Sequence, residues 1–348
     1  MELTQTQTNN SKGIAILMML CLHLFNTLNY QGLFVPLIFI GDKPLVYYIS
    51  LFCDCCVPIY CFCSGYGLYV NYINNKNNFR SKNYIRIFKL YINYWIILLL
   101  IPVGFGFYLG SNPNYPGSFL KFLANFFAIN TSYNGAWWFV TVYILLVLSS
   151  TVIFRIIEKF DFKIILFLSF CFYFLGYLQR VKTLIVFENW ILDFFILQLA
   201  LFANSQFMFV VGAISYQKKW FSTFSNFIKN FKFKNLILFA IIILSIIFHG
   251  IIPSFFIAVF TGFVFIFCFN ALNFNTHIEK IMIYFGNHST NIWLVHMFFY
   301  AYFFKEIIYA PQYPILIFLW LLAWSLTASY IINLIYNPIS KWVNTKLN

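Results

Sequence analysis

The sequence predicts an all-α fold, a polytopic transmembrane helical bundle of about ten helices. Composition, run length and charge placement lead to it. Of 348 residues, 62% are hydrophobic and only 9% are charged, against roughly 25% charged in a soluble domain. Mean hydropathy is +0.80. The apolar residues fall in runs that approach or exceed the roughly 20 residues a helix needs to cross a hydrocarbon core, and short polar breaks separate the runs.

In chain order the runs are 12–30, 45–72, 84–108, 136–156, 162–178, 190–216, 235–248, 251–271, 289–308 and 314–336. The first opens at Lys12 and fades in a polar, glycine-containing stretch. The second carries five cysteines, and the third begins within the basic stretch 76–89. Within the break 109–135 the apolar stretch 119–129 is too short to span, so it reads as interfacial or re-entrant. The fourth run opens on Trp137 and Trp138, and Glu158 to Asp161 separate it from the fifth. Asn204 and Ser205 predict a break in the long sixth. The seventh is short, and Pro253 predicts a kink in the eighth. A short break at 309–313, with a proline at 311, divides the ninth from the tenth.

Charge placement orients the set, because Lys and Arg stay on the cytoplasmic side of a membrane. With the N-terminus inside, only Lys43, Lys121, Arg180, Lys182 and Lys305 of the 22 Lys and Arg fall outside, leaving 17 inside. Both termini are therefore expected in the cytoplasm, as short tails over 1–11 and 338–348, on a multi-pass protein of the plasma membrane. The net charge of +13 follows from this topology and calls for no nucleic acid partner. No small-residue cleavage site follows Lys12 to Asn26, as a secretory signal would require. No repeat or linker is visible, so residues 1–348 read as one integral-membrane domain.

Cys53, Cys55, Cys56, Cys61 and Cys63 lie inside the second run, where cysteine packs as a small apolar residue. No Cys/His set there has zinc-ligand spacing, so no metal is expected. Ionisable residues within the runs are costly and are read as functional by default. His23 follows Lys12 by eleven residues, roughly 16 Å and about 20° past three turns, so the two share a helix face. Asp54 lies about 14 Å from the outer end of its run, and His296, ten residues after Gly286, about 15 Å from the inside. All three reach one depth. Asp54 then has the spacing to orient a histidine, fixing its tautomer and stabilising imidazolium; a buried histidine that only bonds across helices is the plainer reading. Lys82, Arg86 and Lys89, four and three apart, form one stripe. At the cytoplasmic, positive end of a helix dipole such a stripe attracts phosphates, and it equally serves as membrane anchoring or as a site for anionic headgroups.

These residues resemble the acyltransferase-3 family of bacterial membrane acyltransferases over essentially the whole chain. The resemblance rests on Lys12-Gly-Ile-Ala through Leu22-His23, on Val57 to Tyr66 with Ser64-Gly65-Tyr66, on Arg86-Ile-Phe-Lys89 with Tyr94-Trp95, on Ala136-Trp137-Trp138-Phe139, and on Phe285-Gly286 through Leu294-Val-His296. Each motif alone is weak, but the five stand in the family's order. Lys replaces the common Arg at 12 and 89, keeping charge but losing the bidentate fork, and Cys61 and Cys63 interrupt the usual Phe cluster.

The resemblance implies transfer of an acyl group, usually acetyl, from cytoplasmic acetyl-CoA to a hydroxyl of an extracytoplasmic surface polysaccharide or its lipid-linked precursor. Acyl-CoA is the donor substrate, and no tightly bound cofactor is expected. Lys12, Lys82, Arg86 and Lys89 would hold the CoA phosphates. His23 would serve as general base or brief acyl carrier, with Asp54 orienting it and Ser64 and Gly65 helping to bind the oxyanion. Trp137 and Trp138 would stack on sugar rings or belong to the interfacial aromatic belt, and His296 would join the acceptor site. A transporter or flippase of a lipid-linked saccharide is the alternative from another class, and an internal inverted repeat would favour it. An oligosaccharide polymerase would call for an extended outer loop, whereas the break 109–135 contains no acidic residue and no Arg.

Overall fold

The computed structural model describes residues 2–110 and 115–347. In chain order it contains α1 (Gln5–Phe25) and a two-residue antiparallel hairpin, β1 (Phe39–Ile40) and β2 (Lys43–Pro44), with Phe39 opposite Pro44. There follow α2 (Leu45–Phe52), a 3₁₀ turn Cys53–Cys55, α3 (Cys56–Asn74), α4 (Phe79–Leu98), a π-helical segment Leu99–Phe105, α5 (Gly106–Leu109) and α6 (Phe119–Phe126). Then come α7 (Trp138–Lys159), α8 (Phe162–Lys182), α9 (Trp190–Gln217), α10 (Trp220–Ile228), α11 (Lys234–Ile251) and α12 (Phe255–Ala271). The chain ends with α13 (Thr276–Met297), a second π segment Phe298–Phe303, α14 (Lys305–Tyr309) and α15 (Pro314–Leu347).

Each of the ten expected runs coincides with a helical stretch. Among the described residues, seven stretches are long and apolar enough to cross a membrane by length and composition, and Phe255–Ala271 is apolar but shorter. The outward faces are apolar, as a lipid solvent requires. On α8, for instance, Ile165, Ser169, Tyr173 and Gly176 are buried while Phe167, Leu168, Phe174 and Leu175 are exposed.

Several boundaries differ from the sequence expectation. The anticipated break at Asn204 and Ser205 is absent, and α9 runs unbroken, because hydrogen bonds within the helix satisfy the backbone whatever the side chains are. Pro253 does not kink a helix; it lies between α11 and α12, and the Ser254 hydroxyl caps α12 by accepting the Phe256 N–H at 3.3 Å. α13 begins at Thr276, well before position 289, through a polar stretch that hydropathy discounts. α1 starts at Gln5 and α15 continues to Leu347, so most of both expected tails is helical. The short apolar stretch near 119 forms α6, and part of the break around it, 111–114, lies outside the described residues.

The chain divides into two compact units, one from Met1–Leu22, Tyr47–Phe79 and Leu145–Asn287, the other from His23–Val46, Arg80–Ile144 and His288–Asn348. In the first, α9 packs against both α3 and α8. A Cβ on Gly65 of α3 would lie 1.9 Å from the Phe209 carbonyl oxygen of α9, so only glycine allows that approach. Between α8 and α9 the Ser169 hydroxyl donates to Gln206 Oε1 at 2.7 Å, and Gln206 Nε2 returns a bond to the Ser169 carbonyl at 2.8 Å. α1 meets α13 in the same manner: a Cβ on Gly13 would lie 2.0 Å from the Met282 carbonyl oxygen, and Asn9 Nδ2 donates to Asn287 Oδ1 at 2.8 Å.

In the second unit, α6 is fastened to α4 at its C-terminal end, where helix carbonyls lack partners of their own. Tyr94 Oη donates to the Asn125 carbonyl at 2.7 Å, Trp95 Nε1 to Phe126 at 2.8 Å and Tyr91 Oη to Phe127 at 2.9 Å. The buried Asn125 side chain also accepts the Tyr133 N–H at 3.0 Å, closing the loop that leads to α7.

Candidate active site

The second unit places His23, on the last turn of α1, beside His296, on the last turn of α13. Their ring centroids are 5.0 Å apart. Tyr300, in the π segment that follows α13, lies 6.2 Å from the His23 ring and 6.0 Å from the His296 ring, close to parallel with the latter. π-helical turns concentrate at functional sites because they re-aim the side chains around them. Tyr300 escaped the sequence reading, although its position four residues after His296 was the available signal.

His296 is fully buried. Its Nδ1 lies 2.8 Å from the Trp293 carbonyl oxygen and 3.2 Å from that of Ile292. Carbonyl oxygens only accept, so Nδ1 carries the hydrogen and Nε2 presents a lone pair. That Nε2 has no hydrogen-bond partner among the described residues. The turn bearing His296 is held by the segment before α7: Trp137 Nε1 and Asn134 Nδ2 both donate to the Leu294 carbonyl, at 2.8 and 3.2 Å, and Trp293 Nε1 donates to the Ala136 carbonyl at 3.0 Å.

These bonds change the reading of Trp137. It is fully buried, edge-on to Tyr94 at 4.6 Å and to Phe298 at 5.4 Å. No face is open for a sugar, so Trp137 braces the His296 turn. Trp138 is half-buried.

The basic stripe belongs to α4 of the same unit. Arg86 is half-buried and donates to Asn83 Oδ1 at 2.6 Å, Lys89 donates to Asn344 Oδ1 of α15, and Lys82 is half-buried one turn before Arg86. One turn beyond Lys89 a buried polar network begins, which the sequence reading missed. Asn93 Nδ2 donates to Asn291 Oδ1 at 2.6 Å, Asn291 Nδ2 donates to the Ser329 hydroxyl at 3.0 Å, and His288 Nδ1 lies 2.8 Å from that hydroxyl. The signal was Asn93 itself, in register with Lys82, Arg86 and Lys89.

Lys12, Asp54 and Ser64 belong to the first unit. The Tyr60 hydroxyl donates to the Lys12 carbonyl at 3.2 Å, joining α3 to α1. Ser64 is half-buried beside Gly65, within α3. The Gly65 N–H lies inside that helix, where the intrahelical bond uses it, so Gly65 serves helix packing and its amide is not an oxyanion donor. Asp54 sits half-buried in the Cys53–Cys55 turn, and the charge acting on it is that of Arg180, whose guanidinium lies 4.7 Å from the Phe255 ring centroid.

The structure thus brings together His23 and His296 and, on one helix, Lys82, Arg86 and Lys89. Among the described residues no group of three or more His, Cys, Asp or Glu is arranged to hold a metal.

Searches of curated proteins and of solved structures returned no match. The profile of an acyltransferase domain, that of the acyltransferase-3 family, matches residues 8–334, a span that includes every motif on which the resemblance rested. With seven helical stretches among the described residues long and apolar enough to cross a membrane, this chain is a multi-pass membrane protein that belongs to the acyltransferase-3 family of acyltransferases.

Proposed function

We propose that this protein transfers an acetyl group from acetyl-CoA, bound from the cytoplasm, to a hydroxyl of a surface polysaccharide or its lipid-linked precursor on the far side of the plasma membrane. One observation carries the reading: two histidine rings 5.0 Å apart, on helices of a membrane acyltransferase, one of them with an unpartnered ring nitrogen. An acyl transfer needs a group of this kind, able to take a hydroxyl proton and return it.

In the proposed reaction a ring nitrogen of His23 accepts the proton of the acceptor hydroxyl while the hydroxyl oxygen attacks the thioester carbonyl. The new C–O bond forms, the C–S bond breaks, and the departing thiolate takes the proton from the His23 imidazolium. Products are the ester and free CoA. The stripe of Lys82, Arg86 and Lys89 holds the CoA phosphates, and Lys12 adds charge on the helix that carries His23. Ser64 contributes its hydroxyl at most, since the neighbouring Gly65 amide is occupied. The orientation, with both termini in the cytoplasm, rests on the 17 to 5 division of Lys and Arg.

The test is transfer of label from radioactive acetyl-CoA to the saccharide fraction of membranes containing the protein. Incorporation that depends on His23 supports the proposal. Label that stays in acetyl-CoA with every saccharide acceptor supplied contradicts it.

A further inference from the structure

We infer that His296 is a positioning residue: its Nε2 accepts a hydrogen bond from the His23 ring and so fixes which His23 nitrogen is left bare for the reacting hydroxyl. The inference rests on the acyl-transfer reading above and assigns a role within it.

Three observations lead to it. His296 is fully buried, which keeps it from contact with a bulky acceptor or thioester, yet its Nε2 is unpartnered, and a buried acceptor left unmade is costly. Its tautomer is already set, because Nδ1 donates to the Trp293 and Ile292 carbonyls. The partner within reach is half-buried His23, at 5.0 Å between centroids. Two imidazoles joined by an N–H···N bond of ordinary length have centroids about 5 Å apart. A turn of the His23 ring about χ2, a broad torsion in histidine, brings one of its nitrogens onto Nε2.

The resulting chain runs from backbone carbonyl to His296 to His23 to substrate. Before reaction, the His23 hydrogen points to His296 and its lone pair to the acceptor hydroxyl. Once His23 has taken the hydroxyl proton, both its nitrogens carry hydrogen, and the His296 lone pair stabilises the imidazolium until the thiolate removes the proton. This is the task an acid performs in a hydrolase triad, done here by a neutral ring suited to an apolar surrounding. By sequence spacing alone Asp54 is the candidate for this task, and in the structure the charge of Arg180 acts on it.

Two substitutions separate positioning from packing, because Asn reproduces the Nδ1 side of a histidine and Gln the Nε2 side. His296→Asn keeps a donor for the Trp293 carbonyl and deletes the acceptor facing His23; His296→Gln keeps a carboxamide oxygen where Nε2 stands. Both are measured in acetyl transfer from acetyl-CoA, on detergent-solubilised protein that elutes as one species. His296→Gln should hold kcat within about 10-fold, and His296→Asn should lose about 100-fold or more, with KM for acetyl-CoA unchanged in both. A near-normal kcat in His296→Asn overturns the inference, as do equal losses in the two variants or a change confined to KM. His23→Ala run alongside keeps the two levels apart. If it abolishes transfer while His296→Asn does not, the positioning role alone fails; if it leaves transfer intact, His23 is not the base and the role assigned to it in the proposed reaction fails as well.

Discussion

His23 and Arg86 have different tasks in the proposed reaction, and kinetics can tell them apart. CoA phosphates are equally anionic before and during transfer, so Arg86 contributes uniform binding. Arg86→Ala should raise KM for acetyl-CoA by about 10- to 150-fold, the equivalent of one charge-assisted hydrogen bond of roughly 1.5 to 3 kcal/mol, and saturating donor should restore much of the rate. His23 acts when the hydroxyl proton moves, so His23→Ala should lower kcat by about 100-fold or more, and extra donor should not rescue it. Saturating donor that rescues His23→Ala but not Arg86→Ala would reverse the two assignments. Asp54 gives a third test at this scale. Its electrostatic link to Arg180 should appear as non-additive effects of Asp54→Asn and Arg180→Ala on thermal stability. The coupling should be small, at most about 1 kcal/mol, because Arg180 is exposed. Additive effects would leave Asp54 without that partner, and a drop in kcat with stability preserved would return it to the reaction.

At the scale of elements, much of what reads as a family motif is helix packing. Gly65 and Gly13 stand where another helix's carbonyl oxygen would lie within 2.0 Å of a Cβ. Tyr94 and Trp95 fasten α6, and Trp137 braces the His296 turn. Gly65→Ala should therefore destabilise by about 1 to 3 kcal/mol through overpacking of α3 against α9, seen as a lower melting temperature in detergent; an unchanged melting temperature would mean the helices stand farther apart than described. The helices were legible because a span needs a long apolar run and these runs supply it. Less legible was whatever depends on a partner. Nothing in the residues Phe298 to Phe303 announces a π segment, and the polar start of α13 hid from hydropathy. His23 and His296 were found because ionisable groups stand out in apolar runs. Their adjacency, and the assignment of Trp137 to packing, needed the tertiary contacts that a one-dimensional pattern does not hold.

For the molecule as a whole, orientation decides which side meets the donor. A cysteine placed at Thr183 should react with an impermeant reagent applied to intact cells, and one at Ser225 should stay protected. Labelling at Ser225 would invert the topology and move the basic stripe of α4 away from cytoplasmic CoA. The central claim, that this family member acetylates a surface saccharide through His23, meets its most direct test in mass spectrometry of surface glycan. The comparison is between cells carrying the wild-type protein, cells carrying folded His23→Ala protein and cells lacking the gene. The account predicts a mass increment of one acetyl group per modified sugar in the first and its loss in the other two. Identical glycan masses in all three, with transport of the saccharide impaired when the gene is missing, would contradict it and favour a flippase.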